Sequence, residues 1–254
     1  MNRSTQDWIE FLSDGRLVTV DNKNKKCLIY NEKLEKVGTY QFSYHPQSVV
    51  VVSDEEVAVT SGGNYTIDFL RIRKSNEITL TRTVKVTSQY DSICIKDGGH
   101  FVAGTIDDTR PARIVSLSGD ETDFNINFPN KKYALDKSAC TYIRNSEKLV
   151  LTDRDEHTVY IYDVSTNTTV VVKNDRIQGP RDVTAGPSDC ILVCSENTNS
   201  VVQISQFGDI VATYKVDMKY PRSICMSKDQ SMLAVSNCCT GEHKLQLFKL
   251  TCSN

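Results

Sequence analysis

The chain repeats itself, and the repeat is the strongest constraint on what it can fold into. From Pro180 to Ser236 it reads PRDVTAGPSD, CILVCSE, NTNS, VVQISQF, GD, IVATYKVDMKY, and then restarts as PRSICMSKDQ and SMLAVS. Each run is short, rich in Val, Ile and Tyr, and bounded by Gly, Asp, Ser or Asn, as a strand between tight turns reads. Four such strands in about forty residues, followed by the same pattern again, form the signature of a propeller blade.

The second strand of each unit serves as a ruler. It appears as LVTVDN from Leu17, VAVTSG from Val57, FVAGTI from Phe101, LVLTDR from Leu149, ILVCSE from Ile191 and MLAVSN from Met232, at intervals of about forty to forty-eight residues. Six units follow, and the sequence predicts an all-β, six-bladed β-propeller of four-stranded antiparallel blades in one domain over residues 1–254. The blades fall near residues 7–43, 44–87, 88–129, 130–174, 175–217 and 218–254. No segment sustains apolar residues at helical spacing, so almost no helix is expected. Inner strands are covered on both faces, which suits the unbroken apolar runs Ser48–Val52 and Ser92–Ile95. Trp8–Leu12 reads as the first inner strand, and the last blade has sequence for only three strands. That blade is expected to stay incomplete or to be closed by the N-terminus, in a chain cut from the C-terminal end of a longer protein.

Composition narrows the function classes. The formal charge is −2 in 254 residues, which does not mark a strongly basic nucleic-acid binder. No uninterrupted apolar run exceeds five residues, so no membrane span is expected. Most of the nine cysteines sit inside predicted strands, a pattern of reduced, buried thiols that points to the cytoplasm.

The order Pro-Arg-Asp-Val, a Ser-Asp turn, hydrophobics ending in Ser or Asp, then Asn resembles the NHL repeat, best matched by PRDVTAGPSDCILVCSENTNSVVQIS and SDGRLVTVDNKNKKCLIYN. As a whole the chain resembles the C-terminal propeller of tripartite-motif (TRIM) ubiquitin ligases. That resemblance implies a non-catalytic domain that captures a protein or peptide substrate, or in some members structured RNA, with no cofactor. It also implies an upstream RING and a coiled coil, outside this chain, through which the full-length protein oligomerises.

In such a propeller, binding is expected on the face that carries the loops leading into the inner strands. Four of these loops hold a tyrosine: Tyr44, Tyr90, Tyr133 and Tyr220. Large rigid side chains with one polar end make good anchors. The competing reading is that each merely caps its own blade. Gln47, Arg154, Arg181 and Arg222 complete the candidate binding set, arginine being suited to carboxylate, phosphate or base-edge contacts. This face reads as slightly basic, and the opposite one as acidic through Asp14, Asp54, Glu55, Glu56, Asp97, Asp120, Glu121, Asp189 and Asp209. RNA would need a cleaner positive patch than the interspersed acids leave.

Enzyme readings have less support. His45, His100, His157 and His243 are scattered, and neither a Gly-x-Ser-x-Gly elbow nor His-Glu-x-x-His occurs. Six-bladed lactonases hold a channel metal through inner-strand Glu, Asn and Asp, whereas the inner strands here read VVVV, ICI, TYI, VTA and ICM, almost without carboxylates. Cys238, Cys239 and His243 suggest a metal site less well than an exposed loop, and Asp153–His157 lacks the glycine and terminal glutamate of a calcium loop. No metal is expected.

Overall fold

A computed structural model of the protein describes residues 6–237 and 244–250. Its strands pair consecutively into six antiparallel sheets, five of four strands and a last one of three. The only helical segments among the described residues are two short 3-10 turns, Pro187–Asp189 and Glu196–Thr198. Cys238, Cys239 and His243, weighed above as a metal site, lie outside the described residues.

The inner strands are Gln6–Phe11, Pro46–Val51, Tyr90–Asp97, Cys140–Ile143, Pro180–Ala185 and Pro221–Met226, and each contacts the next around the ring. Apolar side chains on the two faces of each blade meet those of its neighbours. Val18, Val20 and Ile29 of blade 1, for example, pack with Val49, Val57 and Leu70 of blade 2. A single blade would expose both apolar faces, so the ring stabilises itself only when closed.

Closure falls on the blade with the fewest strands. Its second and third strands are Met232–Asn237 and Leu245–Lys249, and a small cluster of Ile9, Phe11, Leu17, Cys225 and Ala234 joins it to blade 1. Hydrogen bonds between inner strands reinforce the seam. Asp182 accepts from the Ser223 hydroxyl and the Ile224 amide, each at 2.9 Å, and Ser223 Oγ accepts from the Ile9 amide at 3.2 Å. Blade 5 is thereby tied to blade 6, and blade 6 to blade 1. Ser92 makes the equivalent bond to the Cys140 amide at 3.2 Å, between blades 3 and 4.

One irregularity recurs. Five inner strands begin with a bulge, where one or two residues have no partner on the second strand. In blades 2, 3, 5 and 6 the first such residue is Gln47, Asp91, Arg181 and Arg222. Three of them, Asp91, Arg181 and Arg222, gather around one small void. Ser48, the second residue of the blade 2 bulge, finds a substitute acceptor for its amide in Thr60 Oγ1 at 3.0 Å.

Ser223→Ala should lower stability by about 1–2 kcal/mol, because it removes the acceptor of a buried amide at the closure seam. Exposed Ser165→Ala should change it by less than about 0.5 kcal/mol. Urea unfolding of the two variants checks this difference.

Candidate functional site

The channel has two unlike ends. At the upper face, where the inner strands begin, it is plugged by ion pairs. Asp136, in the loop before the fourth inner strand, stands at the centre. Its carboxylate accepts from Arg222 at 2.6 Å and lies 4.0 Å from Arg181, which also donates to the Asp136 carbonyl at 2.9 Å. The Asp136 amide in turn donates to Asp91 at 2.6 Å. Glu196 continues the chain, accepting from Arg154 at 2.8 Å and lying 3.7 Å from Arg181. Only a void of about 10 Å³ remains between Trp8, Asp91, Asp136, Ser138, Arg181 and Arg222.

Charge and burial set the protonation of this plug. Burial acts to raise the Asp136 carboxyl, but Arg222 and Arg181 outweigh it and hold the group below the usual carboxylate range. Asp91 is pushed up to about 7, first by burial and then by the Asp136 charge. Asp182, buried one tier below, is also pushed up to about 7 by burial, against the amides of Ile224 and Val183.

The candidate residues named from the sequence separate on this face. Arg154, Arg181 and Arg222 come together in the plug, with Arg181 and Arg222 largely buried. Tyr90 and Tyr133 are buried in the blades, Tyr90 donating to Glu121. Tyr44 is half-buried and donates to Asp68 at 2.7 Å, while Gln47 is buried beside Gly62, where a Cβ would press on its amide. Tyr220 is exposed. Glu121 is not a free charge of the lower face as the sequence suggested. Its side chain is buried and accepts from Thr87 in the blade 2–3 linker and from Tyr90 at the start of the third inner strand, with Arg113 at 3.2 Å.

At the lower face the channel opens into a cavity of about 570 Å³, its mouth ringed by the turns between first and second strands. Five inner strands supply equivalent residues to its wall, Glu10, Val50, Cys94, Thr141 and Thr184. The expectation that inner strands are nearly free of carboxylates therefore fails, since Glu10, Asp91 and Asp182 all stand on them. The signal was a single acid inside the apolar run WIEFL. Burial, with a smaller contribution from the Asp182 charge, raises the Glu10 carboxyl to about 8. Among the described residues, no group of three or more His, Cys, Asp or Glu could hold a metal ion.

No protein-family model and no curated protein sequence matches the chain. Solved structures do match in shape, and they define it as a propeller. Virginiamycin B lyase from Staphylococcus aureus superposes with a TM-score of 0.65 at 14% identity, over 99% of this chain and 85% of that one. Hydrazine synthase from Kuenenia stuttgartiensis gives 0.73 at 11% identity, over 100% of this chain and 97% of that one. A streptogramin B lyase structure gives 0.64 at 14% identity, over 100% and 85%. At these identities the likeness is one of fold. Among the described residues no helix is long and apolar enough to cross a membrane.

Asp136→Asn should cost about 1–3 kcal/mol in denaturant unfolding, because it strips the largely buried Arg222 and Arg181 of a partly buried counter-charge. The pH dependence of stability is set by the raised carboxyls. Glu10 has a folded value near 8 against an ordinary value of 4.5, so its protonated form stabilises the fold fully below about pH 4.5 and that contribution is lost as pH rises through about 8. Asp91 and Asp182 act in the same direction up to about pH 7. Thermal scans should therefore show Glu10→Gln melting above the parent protein near pH 8, the gap shrinking toward pH 4.5.

Proposed function

We propose that this propeller is a non-catalytic recognition module that docks a protein or peptide partner across its upper face. One observation carries the reading. Tyr65, Leu135 and Tyr220 stand on upper-face loops of blades 2, 4 and 6 and are 44%, 45% and 48% exposed. Tyr65 and Tyr220 are also held at φ of 55° and 56°, a left-handed conformation that bulky residues rarely adopt. The fold holds both in place. Asn199 Oδ1 accepts from the Tyr220 amide at 2.9 Å, and the Tyr65 carbonyl accepts from Val86 at 3.0 Å. Strained backbone that presents an exposed aromatic is a common mark of a contact site.

The plug on the same face supports docking over passage. With Arg154, Arg181 and Arg222 committed to Asp136 and Glu196, this face offers a partner shape and aromatic surface more than loose positive charge. That favours a protein over RNA, whose phosphates need several available cations. The similar structures named above carry enzyme names, so the propeller shape alone does not separate recognition from catalysis.

In its finer form, which rests on the NHL-like repeats, the partner is the substrate of a cytoplasmic TRIM-type ubiquitin ligase. The RING and the oligomerising coiled coil would then belong to a longer polypeptide. Tyr44, Gln47, Tyr90 and Tyr133 would serve there by shaping the loops under the contact surface.

Photo-crosslinking side chains placed at 65, 135 and 220, with controls at the exposed positions 207 and 211, test the docking face in cells. Protein adducts are expected from the first three positions, and Tyr220→Ala should weaken the captured complex by about tenfold. Adducts from the control positions alone would overturn the choice of face, and adducts destroyed by ribonuclease would replace the protein partner by RNA.

A further inference from the structure

The lower cavity lies at the opposite end of the channel from the docking face, and Glu10 forms part of its wall. We propose that this cavity binds a small organic cation, a protonated primary amine on an apolar body, with Glu10 as its counter-ion.

The first support is the carboxyl itself. Among the described residues no lysine or arginine lies in ion-pair range of Glu10, and the charge that acts on it is another acid, Asp182. An acid so placed is costly to ionise, and a cation arriving through the cavity would lower that cost. A neutral ligand would leave the cost in place, and an anion would add to it.

The second support is the wall. Thr141 and Thr184 share the tier of Glu10 and offer hydroxyl oxygens to the remaining N–H groups of an ammonium. Phe11 adds an aromatic ring, with which a cation interacts favourably, and Val50, Ile95 and Met226 give apolar surface for the ligand body, while the Tyr142 ring already carries the Lys96 ammonium 5.6 Å from its centre. At about 570 Å³ the cavity has the size of a small-molecule site. Its mouth carries Asp54, Asp97 and Asp189 beside Arg144 and Lys228, with Lys96 3.2 Å from Asp97, so charges of both signs surround the entrance.

Calorimetric titration of the full chain with n-hexylamine, hexan-1-ol and hexanoate near neutral pH tests the inference. Hexylammonium is expected to bind with a Kd of about 1 mM or tighter, and the other two more weakly. Glu10→Gln, which keeps the side-chain shape, should weaken hexylammonium by about tenfold and leave hexanol unchanged. Thr184→Val should weaken it by about threefold and serves if the first variant fails to fold. Equal affinity for the three probes, an unchanged Kd in a folded Glu10→Gln protein, or no binding of hexylammonium at about 10 mM would each overturn the proposal.

Discussion

Everything in this molecule depends on closing a ring whose last sheet has three strands among the described residues. Each blade is apolar on both faces, so an open ring would leave two large faces in water. The seam between blades 6 and 1 is held by a modest apolar cluster and by hydrogen bonds running from Asp182 through Ser223 to Ile9. A buried carboxylate that accepts two amides and a hydroxyl fixes the relative height of neighbouring inner strands. Hydrophobic burial is non-directional and cannot do this alone. The acid that carries the seam is thus part of the architecture, and its raised titration is a cost of burial offset by those donors.

Closing the ring also divides the axis into two chemistries. Above, opposite charges meet and fill the channel with Asp136, Arg181 and Arg222. Below, a cavity of about 570 Å³ remains, with Glu10 in its wall. The two ends are separated by the tier of Asp182 and Ser223, whose polar groups are turned toward one another. A partner on one face and a small ligand in the other would therefore act through different residues.

The fold was legible in the sequence because the repeat is periodic at two scales, alternating turns and strands within a unit and about forty residues between units. Even the weakest blade was readable, since its third strand, Leu245–Lys249, keeps an apolar pattern and no fourth run follows it in the sequence. The site was harder. Asp136 sits in an irregular loop, where no period predicts which way a side chain turns. Tyr90 and Tyr133 stand in the same kind of loop as Tyr220, yet Glu121 draws the Tyr90 hydroxyl inward and burial claims Tyr133, while Asn199 holds the Tyr220 backbone in a turn that points outward. Those outcomes depend on partners distant in sequence. Glu10 did carry a local signal, a lone acid in an apolar strand, and its meaning appeared only once five other strands had gathered around it.

The bulge that opens the inner strands has a consequence for how such a protein can change. Gln47, Asp91, Arg181 and Arg222 lie outside the strand ladder, so their identities are not tied to sheet register. One backbone device places a different side chain at the start of the inner strand in these four blades, like interchangeable letters on a fixed wheel. Evolution could thus respell the ring letter by letter, from sealed to open or from basic to acidic, while the wheel itself stayed the same.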